Sequence, residues 1–234
     1  MKILITGTSC GVGRAAAQKF LSTGHIVYGI DVKESTINNK NYFHIKCDVR
    51  DFDNLPNIEG IDVIVNNAGI VTPKAEAIGV NQQGYINIIY KYGYEPTLKN
   101  ILIIGSSASE KGLDNLEYCS SQGARNAIVK WCTTNFSGDE RHVLCNGLNL
   151  DGIVPADEES GVAGTSMEPE LYAKPELMDE IRRLSILERL ATVEEIAEWI
   201  YFMTVVNTCV TGQIINVDGE LSNFSFIQYP GWND

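Results

Sequence analysis

The sequence predicts an α/β fold in which a doubly wound parallel β-sheet carries helices on both faces. Three observations predict it. Short apolar segments alternate along the chain with longer segments of helical periodicity. A glycine-rich turn separates the first apolar segment from the first helical one. The 234 residues contain no repeat, linker or low-complexity tract, so we expect a single domain over residues 1–234.

The predicted strands are runs of apolar and β-branched residues bounded by turn residues. They lie at residues 3–6, 25–31, 42–47, 62–66, 101–105, 143–150 and 213–217. Residues 51–60 are too short a segment, and too interrupted by Pro56, to form a long helix. The order of strands and helices is that of a parallel sheet connected by crossover helices.

The predicted helices show apolar residues at a spacing of three and four. They cover residues 13–21, 84–94 and 119–136, and a last helix follows a capping box that runs from Thr192 to Glu195. Trp131 and Trp199 fall at helical core positions, and we expect both to pack in the interior.

Composition and charge exclude several kinds of partner. The formal net charge of -12 argues against nucleic acid and against anionic membranes, because both need clustered Lys and Arg. The apolar runs are too short to span a bilayer, and Met1 leads directly into the first strand, so we expect a cytoplasmic protein. The six cysteines form no CxxC pair, so we expect no metal site and scattered buried thiols.

Residues 6–13 read TGTSCGVG and lie between the first strand and the first helix. A pyrophosphate approaches backbone N–H groups at a helix N-terminus, and a Cβ atom there would block it. Glycines are therefore expected where the backbone turns or comes close to the phosphates. The turn predicts a Rossmann-type dinucleotide site formed by Gly7, Ser9, Cys10, Gly11, Val12 and Gly13.

Asp31 ends the second predicted strand, beyond the glycine turn. A carboxylate at this place accepts hydrogen bonds from both ribose hydroxyls of NAD and repels the 2′-phosphate of NADP. The alternative is a solvated acid that caps a helix. The nearby cation Lys33 leaves NADP as a second candidate for the cofactor. The interpretation that we prefer makes NAD the cofactor.

Several further motifs follow in one order along the chain. NNAG at residues 66–69 follows the fourth predicted strand, and VNQQG contains Asn81. IIGSSAS ends the fifth strand, and YCSSQGA opens a helix at Tyr118. These motifs, with VTGQIINVDGE near the end, resemble the short-chain dehydrogenase/reductase family over nearly the whole chain.

The resemblance implies roles for matching residues. Tyr118 is the expected general acid/base, with a substrate-orienting serine that is Ser106 or Ser107, of which we prefer Ser106. Asn81 is expected to order a proton-relay water. The remaining cofactor contacts implied by the resemblance come from Asp48 and Val49 beside the adenine, from Asn67, Ala68 and Gly69 beside the ribose, and from the Ile153 backbone at the carboxamide.

Gln122 stands where the family has lysine, four residues after its tyrosine. The lysine lowers the phenol pKa and binds the nicotinamide ribose, whereas a neutral amide can only bind the ribose. Arg125, three residues after Gln122, could lean toward the same face, but we expect it to lie at the surface. The sequence therefore predicts slow alcohol oxidation at neutral pH, which Gln122→Lys raises about tenfold or more.

Two functions remain open at this point. The first is an NAD-dependent oxidoreductase that interconverts a secondary alcohol and a carbonyl compound, with a small-molecule substrate held near a loop at residues 152–185. The second is a catalytically impaired protein that binds NAD as a sensor or scaffold. The resemblance also implies a homodimer or homotetramer that associates through the helices at 84–94 and 119–136.

Overall fold

The structure is a computed structural model, and it describes residues 1–113, 115–153, 175–219 and 221. Seven parallel strands form one sheet in the order β3-β2-β1-β4-β5-β6-β7. They are β1 Lys2–Thr6, β2 Ile26–Asp31, β3 Tyr42–Lys46, β4 Val63–Asn66, β5 Asn100–Ser106, β6 Leu144–Leu150 and β7 Ile214–Val217. All the predicted strands are confirmed, and so is the α/β, Rossmann-type fold class.

The helices lie on both faces of the sheet. They are α1 Gly11–Ser22, α2 Lys74–Ile78, α3 Gly84–Tyr92, α4 Leu116–Cys132, α5 Pro175–Leu184 and α6 Val193–Tyr201. Short π-helical segments follow α2, α4 and α6, at Gly79–Gln83, Thr133–Ser137 and Phe202–Val206. The predicted capping box is present, since Thr192 Oγ1 accepts from Glu195 N and the Glu195 carboxylate accepts from Thr192 N.

The sequence analysis did not predict the helices α2 and α5. The helix α2 has five residues, which are too few to show a period. The helix α5 lies inside the predicted substrate loop at 152–185, and half of its ten residues are charged. That part of the loop prediction is wrong, because Pro175 opens a helix there. Residues 154–174 of the loop lie outside the described residues.

Two hydrophobic layers sandwich the sheet. On one face α1 and α6 cover the strands through Phe20, Ile196 and Ile200. On the other face α3 and α4 contribute Tyr85 and Val129. The prediction that Trp131 and Trp199 lie in the core is wrong, because the two side chains are 40% and 42% exposed. The expectation of buried thiols holds for Cys132 and Cys145, while Cys10 and Cys209 are exposed.

The sheet topology brings distant segments to one edge. From β1 the chain adds β2 and β3 on one side of that strand, and after β3 it returns to place β4 on the other side. The strands β1 and β4 are therefore neighbours at a topological switch point. In such sheets ligands bind beyond the carboxyl ends of the strands at this point. The predicted site residues follow the carboxyl ends of β1 to β6 and therefore share one edge.

Candidate active site

The glycine turn after β1 leads directly into α1. Gly7 and Gly11 have φ of 76° and 57°, a left-handed conformation that residues with a Cβ rarely adopt. A Cβ on Gly13 would lie 2.0 Å from the Gly7 carbonyl oxygen. Cys10 precedes α1 in an extended conformation, and no side chain caps the helix. The first N–H groups of α1 therefore have no side-chain cap and could bind an anion.

Asp31 connects the glycine turn to the loop after β2. Its Oδ2 accepts a hydrogen bond from Ser9 N at 2.9 Å, and its Oδ1 accepts one from Lys33 N at 2.9 Å. Each carboxylate oxygen has a second lone pair that these bonds leave available. The structure thus places a negative charge beside the predicted phosphate site, where a ribose hydroxyl could be bound.

Asp48 lies at the same edge but has a partner that the sequence analysis missed. Arg50 donates to both carboxylate oxygens, from Nε at 3.1 and 3.0 Å and from Nη2 at 2.7 Å. These hydrogen bonds are the main reason why the pKa of the Asp48 carboxyl is lowered. Arg50 also pairs with Glu76 at 2.7 Å. The neighbouring Val49 is buried, with its side chain against Gly84.

The NNAG segment after β4 forms one wall of the site. Thr6 Oγ1 accepts from both Asn67 N and Ala68 N at 2.9 Å. The Asn67 side chain donates to the carbonyls of Thr6 and Gly7 at 2.8 and 3.3 Å. These bonds join the carboxyl end of β4 directly to the glycine turn, so the structure brings together the two segments that were predicted to hold the cofactor.

Asn81 lies in the π-helical segment Gly79–Gln83, a geometry that often marks functional positions. Its side chain accepts from Ile70 N at 2.9 Å and donates to Ile70 O at 2.8 Å and to Ser121 Oγ at 3.1 Å. Its backbone carbonyl accepts from Arg125 Nε at 2.9 Å. Asn81 therefore ties the NNAG segment to α4 through both its side chain and its backbone.

Tyr118 lies in the first turn of α4, where Asn115 Oδ1 accepts from Tyr118 N at 3.0 Å and caps the helix. Its side chain is neither fully buried nor fully exposed. Gln122 follows on the same helix face and is 0% exposed. Neither Nε2 nor Oε1 of its amide has a hydrogen-bond partner within the described residues. A buried polar group without a partner is costly, and it marks a position where a ligand could supply one.

Arg125 contradicts the expectation of a surface residue, since its side chain is 4% exposed. The guanidinium donates to the carbonyls of Asn81, Ile104 and Ala68 at 2.9, 2.9 and 3.2 Å. Its central carbon lies 3.9 Å from the centre of the Tyr85 ring. The helix face that Arg125 shares with Tyr118 and Gln122 points inward, and the i, i+4, i+7 spacing of these three residues was already visible in the sequence.

Ser106 ends β5 and Ser107 begins the 3-10 helix that follows, and the two serines have different environments. Ser106 Oγ accepts from Ala108 N at 3.2 Å, so its own proton remains available for another acceptor. Ser107 is buried and donates to Asp151 Oδ2 at 2.5 Å. Lys111 also binds Asp151, at 2.9 Å. The cluster of Ser107, Lys111 and Asp151 was not anticipated from the sequence.

Ile153 lies just beyond β6, where Gly152 has a φ of 57° and Ile153 pairs with Ala191 in a parallel bridge. This pairing holds the residue at the carboxyl edge of the sheet. Within the parts of the chain that are described, no group of three or more His, Cys, Asp or Glu could hold a metal ion. None of the described helices is long and apolar enough to cross a membrane.

Comparison with known proteins identifies a family over the first two thirds of the chain. A family model described as short chain dehydrogenase matches residues 1–153. The 2-(R)-hydroxypropyl-CoM dehydrogenase of Xanthobacter autotrophicus is 24% identical, over 92% of this chain and 96% of that protein. The glucose 1-dehydrogenase of Gluconobacter oxydans is 23% identical, over 94% of this chain and 91% of that protein.

Solved structures share the fold. A short chain dehydrogenase family protein from Francisella tularensis has a TM-score of 0.79 at 23% identity, covering 95% of this chain and 98% of that one. A 4-hydroxyisoleucine dehydrogenase complexed with NADH has a TM-score of 0.77 at 19% identity, with coverage of 95% and 98%. At these identities the similarity concerns the path of the backbone.

Proposed function

The chain belongs to the short-chain dehydrogenase family, and on this basis we propose that it is an NAD-dependent oxidoreductase that interconverts a secondary alcohol and a carbonyl compound. One observation carries the proposal. The glycine turn with Asp31 and the α4 face with Tyr118 lie at the same edge of the sheet, and the NNAG segment bonds to both. A dinucleotide bound at the turn would extend toward Tyr118.

The residues present fit a dinucleotide. An added Cβ on Gly7 or Gly13 would clash with neighbouring atoms, and no side chain caps the N-terminus of α1, as phosphate binding requires. The amide of Gln122 is buried without a partner, and ribose hydroxyls could both donate to it and accept from it. Bound NAD would supply a hydride acceptor. The carboxylate of Asp31 favours ribose hydroxyls over a 2′-phosphate, which supports NAD over NADP.

In alcohol oxidation the chain manages the proton. Tyr118, as phenolate, accepts the proton of the substrate hydroxyl while the carbinol carbon loses its hydride, and a carbonyl group remains. Ser106 holds the substrate oxygen through its available hydroxyl proton, whereas Ser107, the other candidate, donates its proton to Asp151. Carbonyl reduction reverses each step. The relatives act on different compounds, so the proposal is limited to small alcohols and carbonyls.

A sensor or scaffold that binds NAD without turnover is the second candidate, because Gln122 is neutral.

We also propose that the protein is a homodimer or homotetramer. The support is an apolar groove of about 330 Å³ between α3 and α4. The groove is lined by Gln82, Ile86, Ile89, Tyr90, Ala124, Ala127, Ile128 and Trp131.

The experiment that separates enzyme from sensor uses the wild type and Tyr118→Phe. NADH formation is followed across a panel of aldoses, hydroxysteroids and short 2-hydroxyalkyl compounds, from neutral to alkaline pH. We expect turnover by the wild type and a loss of about a hundredfold or more in Tyr118→Phe, since the proton acceptor is gone. NAD binding, measured by calorimetry, should be nearly intact. NAD binding by both proteins with no turnover by either would favour the sensor.

A further inference from the structure

Arg125 is a buried cation that the proposed reaction does not yet use. A buried charge is costly unless hydrogen bonds or an opposite charge compensate for it. The guanidinium has three carbonyl acceptors and an aromatic ring, but none of the ion pairs among the described residues includes it. Its positive charge is therefore oriented by dipoles and not cancelled by a carboxylate.

The groups around Arg125 limit what that charge can act on. The segments 67–70, 79–83 and 100–106 contain neutral residues and contribute carbonyls. The Lys111–Asp151 pair at the end of β6 neutralises itself. The titratable groups that interact electrostatically with Arg125 are the phenols of Tyr85 and Tyr118. Burial lowers the pKa of Arg125, and these two phenols oppose the shift.

Only one of the two phenols can form an accessible anion. Tyr85 is completely buried and donates its hydroxyl proton to the Ile104 carbonyl at 3.0 Å. Burial raises the pKa of Tyr85 far above its ordinary value, so it stays neutral. Tyr118 lies two helical turns before Arg125 on the same face and is partly exposed. Arg125 thus has one neighbouring phenol that can exchange a proton with a substrate.

We infer that Arg125 supplies the positive charge that stabilises the Tyr118 phenolate, in place of a lysine four residues after the tyrosine. The inference rests on the proposed function for its catalytic meaning. Arg125 acts through Tyr118 and is a positioning residue. Arg125 Nε also donates to the backbone carbonyl of Asn81, so the guanidinium is bonded to the residue that is expected to order a relay water.

This assignment revises the expectation drawn from Gln122. With a cation already near Tyr118, the neutral amide does not leave the phenol unassisted. The gain in neutral-pH turnover from Gln122→Lys should therefore be smaller than about tenfold. A tenfold gain is what we would expect if the new lysine lowered the phenol pKa by about one unit. In an Arg125→Gln background the same lysine should recover much more.

The test measures the protonation of Tyr118 directly. Tyrosine labelled with carbon-13 at Cζ is titrated by NMR in the cofactor-free protein, and Tyr118→Phe identifies the resonance. We expect Arg125→Gln to raise the titration midpoint by about one unit or more, because an opposite charge is lost. Arg125→Lys should keep most of the shift, and Gln122→Lys should restore it in Arg125→Gln. The pH profile of kcat should move in parallel.

Arg141→Gln is the matched control. Arg141 also donates to two backbone carbonyls, of Gly93 and Glu95, and lies over the Phe136 ring, but it precedes β6 at the opposite edge of the sheet. It should change thermal stability without moving the Tyr118 midpoint.

An equal midpoint in wild type and Arg125→Gln would overturn the inference. If Arg125→Gln does not fold, a gain of about tenfold or more in Gln122→Lys would overturn it, and a smaller gain with an Arg125→Lys midpoint near wild type would support it. A shifted midpoint in protein that turns over no substrate would refute the proposed function alone.

Discussion

At the scale of single residues, the chemistry depends on which side chains already have partners. The carboxylates of Asp31 and Asp48 follow adjacent strands at one edge, but only Asp48 is bound to a guanidinium. Asp31 accepts from two backbone N–H groups and belongs to none of the ion pairs among the described residues. The two acids therefore differ in how strongly each can repel or bind a ligand.

The charge of Asp31 leads to a prediction about cofactor preference. We expect the wild type to bind NAD more tightly than NADP, because the carboxylate repels the 2′-phosphate. Asp31→Asn removes the charge and should narrow the difference about tenfold, which is about 1.4 kcal/mol. Asp31→Ala should narrow it as well. Calorimetric titration with both dinucleotides measures the effect.

Glu34→Gln serves as the control for this experiment. Glu34 is an exposed acid near Asp31 that pairs with Lys46, and removing its charge should leave the preference for NAD in place. Equal or tighter binding of NADP by the wild type would show that Asp31 does not have the assigned role.

At the scale of elements, α1 and α4 carry the two halves of the site, and each contains a glycine in its interior. The two glycines differ in their surroundings. Gly13 in α1 lies against the turn that must hold a phosphate, whereas an added Cβ on Gly123 in α4 would meet no atom within 4 Å. The same substitution should therefore have opposite effects in the two helices.

Gly13→Ala should destabilise the protein by about 1–3 kcal/mol, because its Cβ would press against the Gly7 carbonyl and displace the turn. NAD affinity should fall with it. Gly123→Ala should stabilise the protein by about 0.5–1 kcal/mol, since alanine favours the helix. Denaturant unfolding and NAD titration of both variants measure the effects. Unimpaired NAD binding by Gly13→Ala would remove the turn from the proposed site.

At the scale of the whole molecule, the outer faces of α3 and α4 expose apolar side chains around one groove. Tyr90 is 56% exposed, and its ring meets Trp131 edge-on at 6.2 Å between centroids. A second copy of the same face could cover these side chains, since an isologous contact presents the same surface twice. In a monomer these apolar side chains would be exposed to water, which is unfavourable.

Trp131→Glu should therefore shift the protein toward smaller assemblies, because two buried charges would face each other across the contact. Light scattering at micromolar concentration is expected to report a homodimer or homotetramer for the wild type. Trp199→Glu is the matched control, because Trp199 is equally exposed but lies on α6, across the sheet. A monomeric wild type, or equal dissociation in both variants, would contradict the proposed interface.

The sequence by itself determined the features that depend on neighbouring residues. The period of apolar residues predicted the strands and the main helices, and turn chemistry predicted the glycine loop and the capping box. The spacing of Tyr118 and Gln122 put them on one helix face. These features are local, because backbone geometry and side-chain period act over a few residues. The short α2 and the charged α5 lack such a pattern and were missed.

Only the tertiary structure decided which polar groups are buried and what they bind. The carbonyls that hold Arg125 come from residues 21 to 57 positions away in the chain, so no local pattern could indicate them. Nor could a local pattern indicate the contact of Arg50 with Glu76, the different hydrogen-bond partners of Ser106 and Ser107, or the exposure of Trp131. Burial and pairing depend on which distant segments the fold brings together. Here they place the cation Arg125 in the interior on the helix of Tyr118, although the neutral Gln122 stands where the family has lysine.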